Sequence, residues 1–231
     1  DFNMIQSGTD LTTDNHALVI SDYNKTPDKP VINGETRYEN SHEIFFGRPA
    51  YGRRMTAHDV RKAAYDCMLA GALGHTYGCR DVWRFYDPAA SDAGKTQIDI
   101  TVHWKKAMDF PGAFHLGKMK KLFSDYPWHK LIPDQGNRVV VHGCHQGDTY
   151  TPAALSRDRD FALVYVPENQ PITVDTGVLE GNTIRTSWFN PRTGDYHHFY
   201  RQPFPESVHV RPPEDGGSAD FILVIESSRG G

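Results

Sequence analysis

A glutamate follows a short apolar segment near the start of the chain, in a pattern that suits nucleophilic or acid–base chemistry. Residues 30–32 (Pro-Val-Ile) predict a strand, and Asn33, Gly34 and Glu35 follow it without a gap. In a (β/α)8 barrel, catalytic groups lie at the carboxyl ends of the strands. Because a glycine lets the backbone leave the plane of the sheet, Gly34 would allow the Glu35 carboxylate to point into a barrel mouth. Glu35 is therefore the leading candidate for a catalytic group.

The same residues also fit a purely structural role with no catalytic group. Asn-Gly is a common turn sequence, and Glu35 and Glu39 would then be solvated surface acids. These residues alone leave both interpretations open.

The composition is that of an ordinary globular protein. The 231 residues, of which 38% are hydrophobic and 23% charged, suffice for one large domain or two modest ones. The formal net charge of −4 gives no broad basic field, which argues against nucleic acid as the main partner. No stretch approaches the roughly 20 apolar residues needed to span a bilayer. Because the sequence begins next to a strand-like segment, we expect a preceding part, so the lack of a signal peptide does not indicate location.

The cysteines and histidines form no recognisable metal-binding pattern. Cys67, Cys79 and Cys144 have no zinc-like spacing, and at most one pair of them could form a disulfide. Cys67 falls in a helical pattern, where it would pack as a small apolar residue. The 12 histidines match no metal motif either. We therefore expect no metal and no cofactor.

The first 135 residues alternate between strand and helix patterns. We predict strands at 2–7, 30–34 and 72–78, a helix between Thr12 and Pro27, and a helix at 57–71 that starts with a Thr56–Asp59 capping box. This order predicts parallel β/α units, although three strands cannot close a barrel that needs eight. Residues 40–55 are predicted to be a polar and aromatic loop, and residues 102–125 one or two helices broken at 110–112.

A change of period marks the second part of the chain. Residues 126–134 predict a proline-containing linker, and we place a domain boundary near 135–138. Beyond it, short strands without helices predict an antiparallel β-sandwich over 138–231. The predicted strands lie at 138–141, 161–166, 172–175, 184–189, 197–201, 207–210 and 220–226.

Several motifs, taken in order, resemble the apiosidase-like glycoside hydrolases. Those that resemble the C-terminal half of the family's catalytic barrel are FNMIQSG at 2–8, KPVINGE at 29–35 with Tyr38-Glu39, AGALGHTYG at 70–78, and DFPGA at 109–113 through Trp128. The segments at 161–167 and 188–194 (WFNPRTG) resemble the small β-domain that follows that barrel and is commonly labelled collagen-binding. The resemblance covers nearly the whole chain.

The resemblance implies a fold and an activity. The fold would be a partial (β/α)8 TIM barrel, comprising its last three strands within residues 1–135, followed by an antiparallel β-sandwich over 138–231. The activity would be that of a secreted or periplasmic retaining glycosidase that cuts polysaccharide side chains. Glu35, on the seventh strand, would be the nucleophile, and the acid/base would come from an earlier strand that this sequence lacks. A missing N-terminal half or a second chain would complete the barrel.

Polar neighbours of Glu35 would complete a carbohydrate site. Arg37, Tyr38 and Tyr77 would keep the Glu35 carboxylate charged. Glu39 is the alternative nucleophile, because it could still reach the pocket from four residues beyond the strand.

Other side chains would contact the sugar. His75 and Tyr77 would hydrogen-bond sugar hydroxyls, and Gln6 would reach the pocket from the tip of the first strand. Trp83, Phe45 and Tyr86 would stack on a sugar face. Each also suits a structural role: His75 as a satisfied buried histidine, Trp83 as core between the domains, and Phe45 in loop packing.

Two hypotheses other than an enzyme also fit the sequence. The chain could be a binding or structural protein in which the β-domain is the functional part and the barrel half is a remnant. It could also be an assembly subunit, because unpaired strand edges readily pair with another chain.

Overall fold

A six-stranded antiparallel sheet forms the middle layer of the protein. The computed structural model describes residues 1–45, 48–90, 100–203, 205–214 and 220–228. The helices are α1 (Asn15–Tyr23), α2 (Ala57–Leu69), α3 (Arg80–Trp83), α4 (Trp104–Ala107) and α5 (Pro111–Ser124). The strands of the first part are β1 (Asn3–Gln6), β2 (Val31–Glu35), β3 (Tyr38–Glu39), β4 (His42–Phe45), β5 (Arg48–Arg54), β6 (Gly74–His75) and β7 (Gly78–Cys79). The strands of the second part are β8 (Leu131–Pro133), β9 (Val140–His142), β10 (Ala153–Ser156), β11 (Phe161–Val166), β12 (Ile172–Asp175), β13 (Thr183–Phe189), β14 (Tyr196–Pro203), β15 (Ser207–Val210) and β16 (Phe221–Ser228). Short 3-10 turns lie at Trp128–Lys130, Gly147–Thr149 and Thr176–Val178.

The first part contains a parallel sheet in the order β1-β2-β6. Helix α1 connects β1 to β2, and α2 precedes β6, so the predicted alternation and the parallel direction are confirmed. A small apolar core joins the sheet to these helices and includes Val19, Val31, Cys67 and Ala72. Cys67 packs there as a small apolar residue, as predicted, and all three cysteines are free thiols. Within the described residues, no helix combines the length and hydropathy needed to cross a membrane.

Polar side chains start α1 and α2, two of the three longer helices of the first part. Asp14 accepts a hydrogen bond from the backbone N–H of Ala17 (2.9 Å) at the start of α1. At the start of α2, Asp59 accepts from the backbone N–H and the hydroxyl of Thr56 (2.7 and 2.8 Å), which confirms the predicted capping box. Arg53 adds a bidentate ion pair to Asp59 at 2.6 and 2.7 Å. Burial acts to raise the pKa of Asp59, but these hydrogen bonds outweigh it and lower the pKa to about 2.

The second part consists of two antiparallel sheets that share an apolar core. Their strand orders are β14-β13-β16-β11-β10-β8 and β15-β12-β9. The strands predicted at 161–166, 172–175 and 207–210 have those bounds in the structure. Val140 and Val174 of the smaller sheet pack in one cluster with Val164, Trp188 and Leu223 of the larger one.

The larger sheet is buried on both faces. Alternate residues of β11 point into the core between the two sheets, whereas Phe161, Leu163 and Tyr165 point the other way, into a core that includes α2 and α5. This second core contains Tyr65 of α2, whose ring stacks on that of Tyr165 with centroids 4.9 Å apart. Because α2 also packs against the parallel sheet through Cys67, the helix is buried on two sides.

A buried ionic cluster accompanies this packing of α2 on the larger sheet. Asp220, which is 0% exposed, accepts two hydrogen bonds from the guanidinium of Arg61 on α2 at 2.7 Å each. Arg192 (2.9 Å) and the Tyr165 hydroxyl (2.9 Å) donate to the same carboxylate. The third guanidinium nitrogen of Arg61, Nη1, donates to the Ala57 carbonyl (3.3 Å) and lies 2.8 Å from His115 Nδ1 on α5. Although burial opposes ionisation, hydrogen bonds and charge from Arg61 lower the pKa of Asp220.

The structure corrects the prediction of a loop at 40–55. This segment contains the β4–β5 hairpin, in which His42 pairs with Arg54 and Ile44 with Pro49. The proline and glycines in the segment suggested a loop. A proline is tolerated here because each strand of a two-stranded sheet has a free edge.

One predicted strand is divided in the structure, and two strands were not predicted. The strand predicted at 72–78 appears as two short strands, β6 and β7, and β7 pairs with β3 rather than with β2. Strand β8 lies in the segment predicted to be a linker. It pairs with β10, a strand that was not predicted either. Both were overlooked because β8 has only three residues and ends in Pro133, and β10 begins with two alanines that carry little strand signal.

We expect Asp220→Asn to lower the free energy of unfolding by about 3–5 kcal/mol, because it leaves the buried Arg61 guanidinium without its counter-charge. Chemical denaturation at neutral pH measures this change. Asp158→Asn is the control, since among the described residues Asp158 forms a solvent-exposed pair with Lys130 and no buried one. Equal stability of the two variants would contradict a structural role for the Arg61–Asp220 pair.

We also expect Asp59→Asn to lower the free energy of unfolding by about 2 kcal/mol at pH 7, from the lowered pKa of Asp59. A carboxyl whose pKa is lower in the folded state stabilises the protein above its unfolded pKa and loses this effect as the pH falls through the folded value. The difference between wild type and variant should therefore narrow from about pH 4 to about pH 2. A difference that does not vary with pH would contradict this assignment.

Candidate functional site

An irregularity at the end of β2 determines where Glu35 points. Ile5 of β1 is in register with Asn33, but the next residue, Gln6, is in register with Glu35, so Gly34 is an extra residue in β2. Strict alternation would place Glu35 on the same face as Asn33, which is buried against Asn15 of α1 and Cys67 of α2. The extra residue instead puts Glu35 on the face of Gln6.

Two neighbours hold the Glu35 carboxylate. The side-chain amide of Gln6 donates to Oε2 at 2.9 Å, and the hydroxyl of Tyr38 donates to Oε1 at 3.0 Å. Burial raises the pKa of the Tyr38 hydroxyl, and the hydrogen bond to Glu35 raises it further, so Tyr38 remains a donor. The structure therefore brings together three of the residues predicted for the site: Gln6, Glu35 and Tyr38.

The sheet face that carries this group is uncovered. Alternate residues of a strand point to the same face, so Phe2 and Met4 share the face of Gln6. Their side chains are 54% and 56% exposed. Met4 lies across Gly34, because a Cβ on that glycine would come within 2.2 Å of the Met4 methyl group. Among the described strands, β1 and β6 each pair only with β2, which leaves both edges of the sheet open.

Glu39 lies in a different environment from Glu35. It is 5% exposed, and its carboxylate accepts hydrogen bonds from the Tyr77 hydroxyl (2.7 Å) and from the backbone N–H of Gly112 (2.9 Å) in the first turn of α5. Burial raises the pKa of Glu39 in spite of these hydrogen bonds. The contacts fit a carboxylate that joins β3 to the N-terminus of α5. Tyr77 is engaged with Glu39, and no hydrogen bond joins it to Glu35 among the described contacts.

Arg37 and His75 also point away from the Gln6–Glu35 pair. Arg37 is 3% exposed, donates to the Leu11 carbonyl (2.7 Å) and lies 3.6 Å from Asp148 of the second part. His75 is in register with Asn33, on the helix side of the sheet. Its Nδ1 is buried and has no hydrogen-bond partner among the described residues, and burial lowers the pKa of His75 to about 4. The histidine is therefore neutral at physiological pH.

Aromatic side chains collect after β7. Trp83 is 58% exposed, with the Arg84 guanidinium 4.0 Å from its ring centroid, so it is not core between the two parts. Phe85 is 69% exposed, has a left-handed backbone (φ 49°) and meets Trp104 edge to face. Tyr86 is half-buried. Phe45 belongs to β4, but its side chain lies outside the described part of the structure.

Two residues near these groups, Gly112 and Phe85, were not among the residues predicted for the site. The sequence did contain a signal for Gly112. In Phe110-Pro111-Gly112 the proline occupies the first helical position, and the glycine beside it leaves room for another group to approach the start of the helix. Phe85 had none, because a left-handed conformation at a phenylalanine is set by its surroundings and not by residue type.

Residues 1–130 match the sequence profile of the family described as "Apiosidase-like, catalytic domain". The chain belongs to this apiosidase-like family. Residues 132–226 match the profile described as "Putative collagen-binding domain of a collagenase". The two matches follow one another in the order that the motifs predicted, and the chain is glycoside-hydrolase-like.

Two solved structures are similar to the apiosidase-like chain over almost its whole length. One is described as a glycoside hydrolase, with a TM-score of 0.86 and 24% identity over 99% of this chain and 53% of its own. The other is a glycoside hydrolase family 5 protein from Bacteroides vulgatus ATCC 8482, with a TM-score of 0.84 and 25% identity over 98% of this chain and 51% of its own. The chain thus spans about half the length of each. No curated protein matches it.

The described residues contain no group of three or more His, Cys, Asp or Glu side chains arranged to hold a metal ion.

Gly112 in the first turn of α5 lies too close to Glu39 to carry a side chain. A Cβ at Gly112 would lie 2.3 Å from Glu39 Oε2 and 2.7 Å from Val60 Cγ2, whereas a Cβ at Gly117 of the same helix would meet nothing within 4 Å. We expect Gly112→Ala to destabilise the protein by about 1–3 kcal/mol. Gly117→Ala should be neutral or stabilise it by up to about 1 kcal/mol, because alanine favours a helix. Thermal or chemical unfolding compares the two, and a matching response would contradict the contact between Glu39 and Gly112.

Proposed function

We propose that this chain is the C-terminal part of a retaining glycoside hydrolase that removes sugar side chains from polysaccharides, with Glu35 as its nucleophile. The observation that supports this most directly is the Glu35 carboxylate at the carboxyl end of a parallel strand, held by Gln6 and Tyr38 on an uncovered sheet face. The family match supports the reaction class.

The contacts of Glu35 suit a nucleophile. A nucleophilic carboxylate has to be ionised and fixed in orientation, and the hydrogen bonds from Gln6 and Tyr38 favour both. One carboxylate oxygen accepts from Gln6 and the other from Tyr38, at 2.9 and 3.0 Å.

The reaction would proceed in two steps. Glu35 attacks the anomeric carbon and forms a glycosyl ester, while a second carboxylic acid gives its proton to the departing glycosidic oxygen. That second group then takes a proton from water, which attacks the same carbon and releases the sugar and the Glu35 carboxylate. The two carboxyl groups must lie about 5–5.5 Å apart. Glu39 does not suit the second role, because it is buried and its carboxylate joins β3 to the first turn of α5.

The acid/base would come from strands that complete the barrel. The parallel sheet β1-β2-β6 would be the last three strands of a (β/α)8 barrel, and the remaining strands would pair with the open edges of β1 and β6. The exposure of Phe2 and Met4 supports this, because a completed barrel would bury that face. The same protein or a second chain could supply those strands. The family matches also fit a secreted or periplasmic protein.

The nucleophile assignment is tested by Glu35→Ala in a protein that carries the whole barrel. Turnover of an activated aryl glycoside should fall by at least about 10³-fold, because the covalent step is lost. Added azide should then restore part of the turnover by attacking the anomeric carbon in place of the missing carboxylate, and the product should be a glycosyl azide of inverted configuration.

Gln6→Ala is the matched control. It removes one hydrogen bond to Glu35 but leaves the carboxylate, so it should lower kcat by a smaller factor and show no rescue by azide. Unchanged turnover in Glu35→Ala, with normal thermal stability, would exclude Glu35 as the nucleophile.

A further inference from the structure

The second part of the chain contains a cleft that the proposed hydrolysis does not use. It is lined by residues of β8, the edge strand of the larger sheet, of the neighbouring β10, and of the segment that leads into β9, the edge strand of the smaller sheet. Its volume is about 380 Å³, which is within the range of small-ligand sites. Ile132, Leu155 and Val178 form an apolar floor.

Positive charge surrounds this floor. The cleft is lined by three arginines, Arg138, Arg157 and Arg159, and by one acidic residue, Asp134. Asp134 is 4% exposed, and its carboxylate accepts backbone hydrogen bonds from Arg138 (3.0 Å) and Val139 (2.7 Å), so it is already satisfied within its own loop. The lining is therefore locally basic, on a chain whose formal net charge is −4.

The three arginines differ in what they contact. Arg159 is held in place, because its guanidinium donates to the carbonyls of Val178 and Gly177 and lies 3.5 Å from Glu180. Arg138 and Arg157 are exposed, and in the described part of the chain neither guanidinium forms a hydrogen bond or an ion pair. Both are thus available to a ligand at the mouth of the cleft. Guanidinium groups bind carboxylates through paired hydrogen bonds.

We propose that this cleft binds an acidic glycan, with the carboxylate of a uronic acid between Arg138 and Arg157 and the C–H face of the sugar ring on the apolar floor. The choice of a glycan rests on the proposed function of the chain. The site would hold the polysaccharide on the second part of the protein while side chains are removed in the first.

Other anionic ligands fit the cleft less well. A peptide that adds a strand needs a long free edge, and β8 and β9 have three residues each, with Pro133 lacking an N–H in β8. A nucleic acid needs a wider basic surface and aromatic side chains for stacking, and the lining residues of the cleft include no aromatic side chain.

Calorimetric titration of the full chain tests the proposal with three probes: a trisaccharide of galacturonic acid, its neutral methyl ester, and a glutamate peptide of equal charge. The acidic trisaccharide should bind at least about tenfold more tightly than either of the others. The double variant Arg138→Gln/Arg157→Gln should weaken that binding by at least about tenfold.

The control is Arg185→Gln/Lys120→Gln, which removes the same charge from exposed positions on β13 and α5, away from the cleft. It should bind the acidic trisaccharide as the wild type does. The proposal is overturned if the acidic trisaccharide does not bind, if both double variants bind it equally, or if the glutamate peptide binds as tightly. Binding requires no turnover, so these outcomes are independent of the Glu35→Ala result.

Discussion

The contact between Arg61 and Asp220 is the interaction on which the arrangement of the two parts depends. Helix α2 packs against the parallel sheet on one side and the larger antiparallel sheet on the other, so its charged residues cannot all reach solvent. A guanidinium at this depth requires a carboxylate with matched geometry, and Asp220 supplies it from the start of β16. Arg192 and Tyr165 occupy the remaining acceptor sites of Asp220. The cluster therefore fixes which face of the β-part meets the helices.

This fixed packing has a consequence for the site at Glu35. Because α1 and α2 pack on one side of the parallel sheet, and α2 also packs on the larger antiparallel sheet, that side of β2 is covered and Asn33 points there. A group that acts on a substrate would therefore have to point to the opposite face, at the carboxyl end of β2. The extra residue at Gly34 transfers Glu35 to that face within a single step of the chain.

Local features of the site could be predicted from the sequence, whereas its long-range partners could not. The Gly34-Glu35 pair after an apolar strand and the Thr56–Asp59 capping box each lie within a few residues, and the structure contains both. The pairing of Asp220 with Arg61 could not be predicted, because the two residues are 159 positions apart and an aspartate before a strand is common. The role expected for Arg37 rested on its place two residues after Glu35, and that of His75 on its place at the end of the next strand. Arg37 lies beyond β2 and donates to the Leu11 carbonyl, and His75 is in register with Asn33 on the helix side of the sheet.

Strand β8 ties the segment after α5 into the larger sheet, since Ile132 and Pro133 pair with Leu155 and Ala154 of β10. Any attempt to produce the β-part as a separate polypeptide must therefore begin upstream of Leu131. A shorter piece that starts at Arg138 would leave β10 as a bare edge with apolar residues on it, and such edges promote self-association. Poor behaviour of such a fragment in solution would then reflect where it was cut.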